Sequence, residues 1–188
     1  MFGWFRKNEK QVPVENIVGP YELGRRTAES ANADIEAYMQ ARFYPGIRDL
    51  ADAVFGDFES PDVPPFVLAR IDLKNFLERL DGDLRPRVLP QLRSATAGWV
   101  NIAKQAGVGA EFERLIEHHY DQLKSSLVLA AFQRFLDMAD ILKEADDQWR
   151  AANPEKAAQI PFDALGRELG DVLAPYLKDS GALERRSW

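Results

Sequence analysis

From Ala110 to Asn153 the chain runs without a glycine or a proline, so nothing in its backbone chemistry interrupts a helix there. Apolar side chains recur through this run at helical spacing: Phe112, Leu115/Ile116, His119 at the edge of the stripe, Leu123, Leu127, Ala131, Phe135, Met138, Leu142, Ala145 and Trp149. An unbroken helix from residue 110 to about residue 147 is roughly 55 Å long at 1.5 Å per residue. A compact chain of 188 residues is only about 40 Å across. The spacing therefore predicts a bend near Ser125–Ser126, an elongated molecule, or a partner that covers the overhang. The middle of the run, Leu127 to Phe132, is apolar on nearly every side. Leu127, Val128, Phe132 and Phe135 are accordingly candidates for the core or for self-association.

The remaining segments read as helices packed around this one. A stripe of Tyr21, Ala28, Ala31, Ile35, Tyr38/Met39 and Phe43 ends at Tyr44-Pro45-Gly46, and a short helix follows with Ile47, Leu50, Ala51, Val54, Phe55 and Phe58. Gly56 to Pro65 is acidic and proline-rich, a loop. Phe66 to Leu80 is apolar on more than one face, which marks an interior helix. Asp81-Gly82-Asp83 is expected to separate it from a further helix carrying Leu84 to Ala106, irregular at Pro86 and Pro90 and stopped by Gly107-Val108-Gly109. A last stripe, Phe162, Leu165, Leu169, Val172/Leu173, Tyr176 and Leu177, starts at Pro161 and ends near Gly181. No alternating strand pattern and no internal repeat is found. The expected fold is all-α: a bundle of about six helices around one long central helix near 110–147. An N-terminal arm (1–19), one helical domain (20–182) and a C-terminal tail (183–188) are the expected divisions.

Composition narrows the function. The chain has 24 basic and 30 acidic side chains, a net charge of −6, which argues against a nucleic-acid binder, because phosphate contacts need a basic face. With no cysteine, thiolate nucleophiles, iron–sulfur clusters and zinc ribbons are excluded. The longest charge-free stretches, Ser94–Ala103 and Ser125–Gln133, reach about half the roughly 20 residues of a membrane span. At the N-terminus aromatic residues precede the charges, the reverse of a secretory signal. A cytoplasmic protein is expected.

Each chemical constellation has a plainer structural counterpart. Ile47–Val54 resembles the first helix of the helix-turn-helix in TetR-type repressors. The segment that follows, with Asp57, Glu59, Asp62, Pro61, Pro64 and Pro65, would repel phosphate and break a recognition helix. His118 and His119 point about 100° apart on a helix, so they cannot chelate one ion together, and no Glu precedes a His by three positions as di-iron bundles require. Asp137, Asp140, Glu144 and Asp147 line up along one side of the long helix; a solvated face is expected, since metal-dependent phosphate chemistry needs a second acidic helix and basic groups opposite. Gly107-x-Gly109 lacks the third glycine of a dinucleotide loop. No G-x-S-x-G elbow occurs, and Ser94, Ser125 and Ser126 have no histidine at a recognisable offset. No catalytic residue, cofactor or metal site is expected.

One segment is not explained by folding. Phe2, Trp4 and Phe5 stand beside Arg6, Lys7 and Lys10, an aromatic–basic arrangement suited to a partner protein, to the chain's own groove, or to weak peripheral contact with an anionic membrane interface. Arg185-Arg186-Ser187-Trp188 repeats it more weakly. The expected function is thus a non-enzymatic interaction protein, an adaptor or assembly subunit, with Phe2, Trp4, Phe5, Arg6 and Lys7 and the long helix as contact surfaces and a protein partner or a second copy as ligand. The alternative is a helical small-molecule module with an apolar pocket lined by Phe66, Phe76, Trp99, Phe132 and Phe135.

Overall fold

The computed structural model describes residues 20–56, 58, 60–160, 167, 170, 171, 173, 174 and 176, with side chains described from residue 28 onward. The N-terminal arm and most of the stripe from Phe162 to Leu177 lie outside these residues. Within them the chain is all-α and contains no strand. The helices are α1 (Pro20–Arg42), α2 (Ile47–Asp52) after a 3-10 turn at Tyr44–Gly46, α3 (Pro65–Ala95), α4 (Ala97–Gln105), α5 (Gly109–Asp137), α6 (Ala139–Ala152) and the single turn α7 (Pro154–Ala157).

The long central helix is present as α5. Its start is set by a glycine stop: Gly107 has φ +75°, and Gly107 N–H donates to Lys104 O at 3.2 Å while Val108 N–H donates to Ala103 O at 2.9 Å. This paired pattern closes α4 in a left-handed turn that glycine adopts without strain. The interruption of the long run falls at Met138, between α5 and α6, twelve positions beyond Ser126, where a bend is one of the three outcomes the length allows. At the serines the helix is intact, and Ser126 Oγ donates to Gln122 O at 2.9 Å within it. The break has a packing cause, since neither glycine nor proline is present. Phe135 and Leu142 enter the same hydrophobic cluster, and α6 lies against α3 rather than prolonging α5. Met138 itself stays in the helical region, with φ −91° and ψ −8°, so the interruption is local.

A second departure lies in α3, which runs through Asp81-Gly82-Asp83, Pro86 and Pro90. Gly82, Pro86 and Pro90 follow one another at four-residue intervals and all are exposed, whereas Leu80, Val88, Leu89 and Leu92 are buried. The amide hydrogen bonds that the two prolines cannot make therefore fall on the solvent side, where water serves the freed carbonyls.

Burial divides the bundle into two cores that α3 and α5 both cross. One gathers Ala31, Ile35 and Met39 of α1, Val88, Leu89 and Leu92 of α3, Ala103 of α4, and Phe112, Ile116, Tyr120 and Leu123 of α5. The other gathers Ala51, Ala69, Leu73, Leu77, Leu80, Leu127, Val128, Ala131, Phe135, Leu142 and Leu173, with Phe55, Phe58, Phe66, Phe76 and Phe132 packed around it. Phe135 sits between Phe66 and Phe55, with ring centroids 5.6 and 6.4 Å away. The loop supplying Phe55 and Phe58 is tied down by polar contacts: Gly56 N–H donates to Asp72 Oδ2 at 3.1 Å, Trp149 Nε1 to Ser60 O at 3.2 Å, and Lys156 Nζ to Asp62 Oδ1 at 2.8 Å. Beneath it Asp146, only 4% exposed, accepts from Arg150 Nε at 2.7 Å and leaves its other oxygen without a partner.

Candidate functional site

Between the two cores, on the α3 side of α5, lies a polar seam. Tyr120 is fully buried, and its hydroxyl donates to Asp81 Oδ1 at 2.8 Å. Lys124 Nζ reaches Asp81 at 3.2 Å and Asp121 at 3.3 Å. Arg85 pairs with Glu117 at 2.6 Å, its guanidinium 5.3 Å from the centre of the Tyr120 ring. The Tyr120 hydrogen bond, helped by Lys124, holds the Asp81 carboxyl below its ordinary range. Burial and the same carboxylate push the Tyr120 phenol well above its own. Burial pulls Lys124 down, but its bonds to Asp81 and Asp121 outweigh that and leave it raised. Every group here has a partner, and the seam acts as a clasp between α3 and α5.

The histidines divide as their spacing implies. His119, 5% exposed, shares a hydrogen bond through Nε2 with Asn32 Oδ1 at 2.9 Å and pins α1 to α5. Burial lowers its pKa, neighbouring His118 lowers it further, and Glu36 opposes both. His118 is exposed. A second pin, Trp99 Nε1 to Asp34 Oδ2 at 2.8 Å, joins α4 to α1.

On another face of α5 an open groove separates it from the end of α1, the 3-10 turn and α2. Two hollows that share Tyr44 form it. The first, of about 680 Å³, is lined by Glu36, Tyr44, His118, Asp121, Gln122, Ser125, Ser126 and Leu129. The second, of about 530 Å³, is lined by Tyr44, Ile47, Arg48, Ala51, Asp52, Ala130, Gln133, Arg134 and Asp137. From His118 to Asp137 the groove follows α5 for about 28 Å at 1.5 Å per residue. Its wall is graded along that length. Exposed carboxylates of Glu36 and Asp121 stand at the His118 end, and Tyr44, Ile47, Leu129 and Ala130, all half-buried, form the middle. At the far end charges are balanced: Arg134 Nε meets Asp52 at 2.9 Å, and Gln133 Nε2 donates to Asp137 at 2.7 Å.

The remaining sequence candidates fall as follows. Leu127, Val128 and Phe135 are buried in the second core and Phe132 is half-buried against it, so all four pack in or on the core. Phe66, Phe76, Phe132 and Phe135 share that core, whereas Trp99 belongs to the other; the five aromatics do not line one pocket. Asp137 ends α5 while Asp140, Glu144 and Asp147 lie on α6, so the break at Met138 splits the acidic row. No group of three metal-ligating side chains occurs among the described residues, and no described helix is long and apolar enough to cross a membrane. Among the described residues between α2 and Pro64 none is helical, so they show no recognition helix following α2. Phe2, Trp4, Phe5, Arg6 and Lys7 lie outside the described residues. Sequence reasoning missed the groove. Its one trace is the row His118, Gln122, Ser125/Ser126, Leu129/Ala130 and Gln133, a polar-to-small stripe at helical spacing beside the apolar one. Comparison of the chain with protein-family models, curated proteins and solved structures finds no match.

Proposed function

We propose that the protein is a non-enzymatic interaction module whose contact surface is the groove between α1/α2 and α5. The observation that carries this is a groove that follows the central helix for about 28 Å, with Tyr44, Ile47, Leu129 and Ala130 half-buried in its middle. A floor of that kind, bordered by charges and hydrogen-bonding side chains, suits an extended or helical segment better than a small molecule, which prefers an enclosed cavity. Ser125, Ser126 and Ala130 leave room in the middle of the groove for a backbone to approach. The polar seam of Asp81, Arg85, Glu117, Tyr120 and Lys124 and the pins Asn32–His119 and Asp34–Trp99 are engaged in contacts between helices.

A photo-crosslinking residue in place of Leu129, introduced in the producing cell, tests this against the same residue in place of exposed Gln91 on α3. The expected result is a discrete set of adducts from position 129 that disappears when Ser126→Arg fills the groove. Indistinguishable adducts from the two positions, or adducts unchanged by Ser126→Arg, would remove the groove as a contact surface.

A further inference from the structure

We propose that the groove is occupied by this chain's own segment Phe2–Lys10, folded back along α1, so that any external partner competes with it. The inference rests on the groove being a docking surface, as proposed above, and names its resident.

Three observations carry it. The first is order. Reading back from Pro20 toward the start of the chain, the cations Lys10, Lys7 and Arg6 come before the rings of Phe5, Trp4 and Phe2. Moving from Pro20 along α1 into the groove, the carboxylates of Glu36 and Asp121 come before the apolar middle at Tyr44, Leu129 and Ile47. Cations thus meet carboxylates where rings meet the apolar floor, in one register and one direction.

The second is reach. Glu36 lies sixteen residues into α1 from Pro20, about 24 Å along the axis, and Tyr44 about 36 Å. Thirteen residues separate Lys7 from Pro20 and fifteen separate Phe5 from it; extended, they span about 43 and 50 Å. Both distances are covered with slack. Prolines at 13 and 20 favour an extended path.

The third is charge. Glu36 is exposed and forms no salt bridge among the described residues, and Asp121, beside it in the first hollow, shares Lys124 with Asp81. The acidic end of the groove therefore has carboxylate left for Arg6 and Lys7.

The absence of cysteine makes the full chain suited to spin labelling. The pair Asn8→Cys and Gln40→Cys places one label on the segment and one on exposed α1 beside the groove. Pulsed dipolar spectroscopy is expected to give a narrow distance distribution. A free segment would instead give a broad one centred beyond about 30 Å, from random-coil statistics between Asn8 and Pro20 added to the length of α1. Glu36→Lys with Asp121→Lys should broaden the distribution, and Arg6→Glu with Lys7→Glu in that background should restore it. A broad distribution in the unreversed chain overturns the proposal, as does a narrow one indifferent to charge reversal. A dipolar signal between singly labelled chains mixed together overturns it too, by assigning the segment to a second copy. If the segment proves free while Leu129 still crosslinks specifically, the docking surface stands and only its resident is lost.

Discussion

The two cores of this bundle share their longest helices and solve the packing problem differently. Around Ile35, Met39, Leu92 and Ile116 aliphatic side chains from four helices interdigitate with Phe112 and Tyr120, and small residues such as Ala31 and Ala103 bring helices close. Polar pins, Asn32 to His119 and Asp34 to Trp99, then fix the register of α1. Around Phe135 the neighbours are rings, two of them supplied by an irregular loop that is fastened from outside. The first core is specified by helices alone. The second depends on a loop being held in place, and it includes the junction between α5 and α6 at Met138.

Removing the ring at the centre of the second core gives the largest expected effect. Phe135→Ala deletes contacts with both Phe55 and Phe66 and should cost about 3–5 kcal/mol, read as a shift in urea midpoint. Because α3 and α5 cross both cores, unfolding should remain a single transition, with tryptophan fluorescence and helicity lost together. Two separated transitions would show that the cores are independent units and that the shared helices do not couple them.

The seam between the cores is the next place to intervene. Tyr120→Phe keeps the ring and removes the hydroxyl bound to Asp81. The expected loss is about 1 kcal/mol, moderated because the freed carboxylate, 54% exposed, can take water. The same substitution should change the acid limb of the stability curve. Asp81 titrates below its ordinary value in the folded state, so its contribution is present above pH 3.8 and is lost as pH falls through the depressed value. With phenylalanine at 120 that limb should flatten. A variant with an unchanged acid limb would mean that the hydroxyl does not hold the carboxylate.

Much of this contrast could be read from residue patterns, and the parts that could not have identifiable causes. The helical period and the glycines between helices yield the all-α bundle, the stop at Gly107 and the burial of Leu127, Val128 and Ala131. The break at Met138 carries no backbone signal because its cause is tertiary: Leu142 reaches the core only if α6 turns. The opposite error occurs at Asp81-Gly82-Asp83, whose breaker residues sit inside a continuous helix because they and the two prolines share a solvent face. Gly82→Ala tests that directly. A Cβ there meets nothing within 4 Å, so alanine should stabilise by about 0.5–1 kcal/mol through helix propensity and reduced unfolded-state freedom. Destabilisation would mean that the helix is interrupted there after all. The groove was illegible for a related reason, since a hollow is made by two elements and the residues that line it look like an ordinary polar face on either one.

The smallest expected effect concerns the pin that holds α1 to the first core. His119 is buried and its folded-state pKa lies below the ordinary 6.5, chiefly through burial. The unfolded chain therefore takes up a proton at a higher pH than the folded one. Stability from this residue is complete above pH 6.5 and falls as pH drops below it, down to the folded-state value, where the loss levels off. Glu36 faces the imidazole from α1 and favours the charged form, while His118 on α5 disfavours it, so the two partly cancel and the slope should be shallow. His119→Gln, which keeps a hydrogen bond to Asn32 without a titrating ring, should remove the slope that sets in below pH 6.5 and leave the rest of the curve in place. Because the aromatic core contains no histidine, amide exchange in α1 should respond over this window while exchange around Phe135 does not; equal responses in both would show that the pin is not local to the first core.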